Sequence, residues 1–214
     1  PQRLRAAPHR RHRLPGQRPE GISISVESRD SVSRDLTPAH SSQIATALSL
    51  MPESFDGRLK NLYIVYGDAK MRRGMSGVGV VFLKGEEGDF FRVAVHELGH
   101  IYDLHREVDS GEKSEFYDGQ YRLASADPSV SYYRLSWKNT IERFADLPAF
   151  ASRYAMSDPF EDFAETFALF VLQGNTFRRW KVEEPLLVKK YDFLTDTFLG
   201  RTFNSSASFS TRPF

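Results

Sequence analysis

The order of hydrophobic patterns along this chain predicts an α+β fold: a small N-terminal sheet, one prominent central helix and a mostly helical C-terminal part. Three observations lead there. Short runs of β-branched and aromatic residues closed by glycine come first, a long amphipathic stretch follows near the middle, and capped helical segments dominate afterwards. With 40% hydrophobic and 13% aromatic residues, the 214-residue chain can bury a real core, which excludes wholesale disorder.

Residues 1–20 read as a disordered basic arm. Six of the 29 Lys and Arg fall there against one of the 28 acids, so the remainder holds 23 basic and 27 acidic residues, a formal −4. A mildly acidic body behind a basic arm is a poor profile for a nucleic-acid-binding domain, and no nucleic acid is expected as a partner. Thr37-Pro38 reads as a cap and first-turn proline, with Ile44, Leu48 and Met51 at helical spacing up to Pro52. A strand fits Leu62–Tyr66, closed by Gly67-Asp68. The glycine-rich segment 72–79 leads into a second strand, Val78–Leu83, ended by Lys84-Gly85. Gly74, Gly77 and Gly79 there permit either a close backbone approach or a turn. They are not a phosphate loop, because no Gly-Lys-Ser/Thr follows.

A helix is predicted from about Asp89 to Arg106. Polar residues 107–135 read as a long loop or insertion, and Trp137–Phe150 as a helix interrupted at Pro148. Asp158-Pro159 opens a helix running to Gln173 and stopping at Gly174. Pro185 opens the last one, with Leu187, Tyr191, Leu194 and Phe198 on one face. Residues 21–203 are thus expected to form a single domain, and 204–214 a flexible tail.

The chain contains no cysteine, which removes disulfides, thiol nucleophiles and every thiolate metal site. No apolar run approaches the length of a membrane span. What remains is His96-Glu97-Leu98-Gly99-His100, an H-E-x-x-H pattern. At about 100° per residue, His100 lies roughly 40° round from His96 and one turn along, so both imidazoles can reach one metal ion. Glu97 sits beside them as the base for a metal-activated water, whose pKa zinc lowers. Phe91, Ala94, Val95, Leu98, Ile101 and Tyr102 fall on the opposite face. Asp103 falls on the metal face, as a support for a ligand histidine or as a solvated helix aspartate, and His105 falls on the far side.

Zinc needs a third protein ligand. The three-histidine pattern would require Gly at 103 and His at 106, where this chain has Asp103 and Arg106. A downstream carboxylate is the best candidate. The richest segment is Tyr154–Glu165, where Glu161 and Glu165 lie one turn apart and one can ligate while the other supports a histidine. Asp158-Pro159-Phe160-Glu161 is equally a capping box, and spacing alone leaves the two readings of Glu161 open.

Together the two segments resemble the gluzincin-type metallopeptidases related to the catalytic domain of anthrax lethal factor, a group that includes Pro-Pro endopeptidases. The matching features are Val95–His100 followed by Asp103, and Tyr154 seven residues before Glu161 in a Glu-Asp-Phe-Ala-Glu-Thr-Phe run. The resemblance implies a zincin-like fold and one zinc ion per chain held by His96, His100 and Glu161. It implies Glu165 as the carboxylate supporting a ligand histidine, and Tyr154 as the hydroxyl that helps hold the oxyanion. It also implies a peptide or protein substrate and a secreted or extracytoplasmic setting. The long stretch between His100 and Glu161 departs from the compact members, with 107–135 as the expected insertion.

The expected function is therefore a zinc-dependent endopeptidase with Glu97 as general base. An inactive zinc-binding relative serving as a binding module, or a hydrolase of non-peptidic amides, would share the motif. In related zincins a sheet-edge strand binds extended substrate, and Val78–Leu83 is the candidate, against its reading as an interior strand.

Overall fold

A computed structural model describes residues 11–12, 21–103, 111–198, 200 and 203, in a mixture of helices and small sheets. Most of the basic arm, His105 and the segment 204–214 lie outside the described residues. The chain divides into two compact units, Pro1–Ile101 and Tyr102–Phe214.

The first unit is built on a five-stranded sheet. Its strands are β1 (Arg11–His12), β2 (Ser23–Ser28), β3 (Asn61–Tyr66), β4 (Gly74–Gly77) and β5 (Val80–Lys84), in the order β1-β2-β3-β5-β4. β2, β3 and β5 run parallel, with Ile24 opposite Leu62, Ile64 opposite Leu83 and Leu62 opposite Val81. These five side chains are at most 2% exposed and form the buried face of the sheet. Val78–Leu83 is not an edge strand. Its strand portion, within β5, lies between β3 and β4, and Gly79 at φ 71° closes the turn that folds β4 back along it. The edge is β4, antiparallel to β5 with Gly74 opposite Leu83. Lys84 N–H donates to Arg73 O at 3.0 Å, so by alternation the backbone polar groups of Gly74 and Ser76 point away from β5.

One helix connects strands of this sheet and a second follows its last strand in sequence. α1 (Pro38–Ser49) starts as expected, with Thr37 accepting from His40 N–H at 3.1 Å, and buries Ile44, Ala47 and Leu48. α2 (Phe90–Asp103) follows β5. The His40 ring stacks on Phe90 at 4.1 Å, and its Nδ1 lies 2.9 Å from the Tyr66 hydroxyl, tying α1 to α2 and β3. The two-sided pattern predicted for α2 is only partly realised. Residues 93–99 are buried all round, His96 and Glu97 included, while Phe91 and Tyr102 are half-buried.

In the second unit, residues 111–135 are not a structureless loop. They form the hairpin β6 (Lys113–Asp118) and β7 (Tyr121–Ala124), with Gly119 at φ 59° in its turn, and the short helix α3 (Pro128–Tyr133) capped by Asp127. Phe116, Tyr132 and Tyr133 are almost fully buried there, which the polar composition of the segment conceals. Trp137–Phe150 is not helical either. Asn139 Oδ1 accepts from the N–H groups of Ile141 and Glu142, turning the chain so that Trp137 pairs with Arg143. Only a single 3-10 turn, Leu147–Ala149, follows.

Three helices complete the unit: α4 (Pro159–Leu172), α5 (Gly174–Trp180) and α6 (Pro185–Thr197). α4 ends where predicted, at Leu172 with Gln173 as its C-cap, but Gly174 also opens α5, and its missing side chain makes room for the Phe203 carbonyl. Leu187, Tyr191, Leu194 and Phe198 are all buried, as the α6 pattern predicts, against aromatic neighbours such as Phe170 and Phe177. Among the described residues, no helix is long and apolar enough to cross a membrane.

Candidate metal centre

α2 carries the first half of the predicted constellation. His96 and His100 stand one turn apart, with ring centroids separated by 4.8 Å and planes at 84°. His96 is 8% exposed and His100 half-buried. Glu97, between them in sequence, is 5% exposed and lies directly against the backbone of Gly74 on the edge strand β4.

At the end of the same helix Asp103 is 3% exposed, so it is not a solvated aspartate. Its Oδ2 accepts from the Tyr133 hydroxyl at 2.7 Å, and its backbone carbonyl accepts from Ser129 Oγ at 3.2 Å. Burial pushes its carboxyl well above the usual carboxylate range, with the two hydroxyls opposing that effect. Burial, and then the neighbouring Asp103, likewise push the Tyr133 phenol up.

α4 carries the second half. Asp158 caps the helix, its Oδ1 accepting from the N–H groups of Phe160 and Glu161 at 2.9 Å each, and Pro159 fits the first helical position. Asp158 therefore fills its half of the capping box. The Glu161 side chain meets Tyr154, whose hydroxyl donates to Oε1 at 2.8 Å. Tyr154 is 49% exposed, on the 3-10 turn Tyr154–Met156 just before the helix. One turn on, Glu165 is 5% exposed, and its Oε2 accepts from Ser152 Oγ at 2.7 Å.

Ser152 was not singled out from the sequence. Its Oγ also accepts from Ala155 N–H at 3.1 Å, so one hydroxyl both starts the Tyr154 turn and holds Glu165. A serine three residues before the N–H it caps is a legible local signal. Tyr133 and Lys190 were missed as well. Lys190, fully buried, donates from Nζ to both oxygens of Asp162 and to Ala149 O, all at 2.8 Å. Asp162 also accepts from Trp137 Nε1 at 3.1 Å. Burial raises the Asp162 carboxyl and lowers the Lys190 ammonium, each opposed by the attraction of the other. This buried pair fixes the first turn of α4, the turn that carries Glu161.

Among the described residues, His96, His100 and Glu161 form a group able to hold a metal ion: each offers one ligand atom, and these atoms lie within 4.8 Å of one another. Two imidazoles and one carboxylate are a donor set that suits zinc and leaves room for a non-protein ligand. No family model, curated protein or solved structure matches the chain.

Proposed function

We propose that this chain is a zinc-dependent endopeptidase of the gluzincin type, with a zincin-like fold. The observation that supports the reading most directly is the grouping of His96, His100 and Glu161, with one ligand atom from each inside 4.8 Å. These three residues would hold the metal, the imidazoles neutral and the carboxylate ionised. When bound, zinc would supply Lewis acidity, polarising a carbonyl and making water a better nucleophile near neutral pH.

The chain's own residues supply the rest. Glu97 takes the proton from the attacking water and delivers it to the departing amine. Its burial excludes bulk water from the carboxylate that must hold that proton. Tyr154 has two tasks. In the structure its hydroxyl donates to Glu161 and steadies that carboxylate. To hold an oxyanion it exchanges this bond for one to the reacting carbonyl oxygen, which its exposed position on a single turn permits. Ser152 holds Glu165 so that the carboxylate can in turn orient a ligand imidazole. β4, rather than Val78–Leu83, is the strand that would take an extended substrate, through the outward polar groups of Gly74 and Ser76.

The test is cleavage of an unbiased peptide library by the wild type, by Glu97→Ala and by wild type treated with a chelator. The reading expects peptide-bond cleavage by the wild type alone, restored after chelation by added zinc. Cleavage that persists in Glu97→Ala, or a zinc-loaded wild type that hydrolyses small amides but no peptide, would overturn it.

A further inference from the structure

The residue facing Glu97 has no side chain. A Cβ built on Gly74 would stand 2.7 Å from Glu97 Cγ and 2.8 Å from Cδ, and closer still to Oε1. Contacts of that length are essentially never made by real Cβ atoms, so either the carboxylate or the strand would have to move. Gly74 is not glycine for the sake of its backbone, because it lies in an ordinary β4 conformation and has no positive φ. Nor is glycine favoured by strand formation, which it weakens relative to alanine. Gly77, on the same strand, shows the contrast: a Cβ there would meet only Val80 Cγ1, at an ordinary 3.6 Å.

Resting on the proposed peptidase reading, we infer that Gly74 is a positioning residue for the general base: its missing side chain forms the slot in which the Glu97 carboxylate lies. Two features of the first unit and one general magnitude support this. Gly74 sits opposite Leu83, on the buried face of the sheet. Glu97 is 5% exposed, so a displaced carboxylate has little free space to enter. A shift of about 1 Å in a reacting group can cost about 10²-fold in rate.

The experiment is a double-mutant cycle joining Gly74→Ala to Glu97→Ala, with Gly77→Ala as control. Thermal unfolding is read for every variant, and kcat, KM and zinc content for those that cleave peptide. Gly74→Ala is expected to lower Tm in the Glu97 background and to leave it level or raise it in the Glu97→Ala background, where the slot is vacant. In the active background it should lower kcat by about 10²-fold with KM and zinc content close to wild type, while Gly77→Ala changes neither kcat nor KM. Equal Tm effects in both backgrounds, or an unchanged kcat in Gly74→Ala of an active enzyme, overturns the inference and leaves the peptidase reading standing. A zinc-loaded wild type that cleaves no peptide overturns both.

Discussion

The Tyr154 hydroxyl donates to Glu161 Oε1 at 2.8 Å, from a side chain half exposed on the turn that precedes α4. The tyrosine that the resemblance casts as an oxyanion holder is thus also a partner of Glu161, the proposed third metal ligand. The two roles separate experimentally. If the bond steadies Glu161, Tyr154→Phe weakens zinc binding by about 10–100-fold, as loss of a partner behind a metal ligand does. If the hydroxyl serves only the oxyanion, zinc affinity stays at the wild-type value and kcat alone falls. Competition with a chromophoric chelator measures the first, and steady-state kinetics the second.

Ser152→Ala removes the one hydroxyl shared between Glu165 and Ala155 N–H. Both partners are buried, so the change should cost about 1–3 kcal/mol of stability in chemical denaturation. A cost near zero would mean that neither partner depends on Ser152.

Lys190→Met leaves the Asp162 carboxylate buried without its cation and should destabilise the fold by about 3–5 kcal/mol. Adding Asp162→Asn should recover part of that loss, because the uncompensated charge is then gone. Urea titrations of the two variants check this, and identical stability of single and double variants would contradict it.

A pH dependence follows from Glu115, held to about 2 by its hydrogen bonds to Arg134 at 2.7 Å against a slight desolvation. Its folded value is below its ordinary 4.5, so the stabilisation is present above pH 4.5 and is lost as pH falls towards 2. The pair is more than a third exposed, with 46% for Arg134 and 36% for Glu115, so solvent screening limits its worth to about 0.2–1 kcal/mol. Glu115→Gln should therefore be less stable than wild type by that amount at pH 7, and indistinguishable from it at the acid end. A difference that grows on acidification would contradict the assignment.

What was legible in the sequence was local. The spacing of His96 and His100 is a property of one helix, and Asp158-Pro159 announces its own cap, so both appear where expected. Leu187, Tyr191, Leu194 and Phe198, which helical spacing places on one face, are all buried. Lys190 stands three residues after Leu187, a core position, and a lysine there signals a buried acid to be found elsewhere; its partner Asp162 lies 28 residues away, which no local pattern reveals. β2 was missed because its serines blunt the apolar alternation, and only pairing with β3 makes the strand. The polar hairpin and α3 were missed for a different reason: Phe116 is far in sequence from the adjacent Tyr132 and Tyr133 and meets the Tyr133 ring only in the fold. Gly74 was open to two readings until the place of Glu97 separated close approach from a turn.

The most direct test of the proposed metal centre is zinc content per chain by elemental analysis after dialysis, on wild type and Glu161→Ala together, with circular dichroism to establish that both are folded. The account predicts one zinc per wild-type chain and markedly weaker retention in Glu161→Ala. A folded wild type that carries no zinc and takes up none when it is added would contradict it.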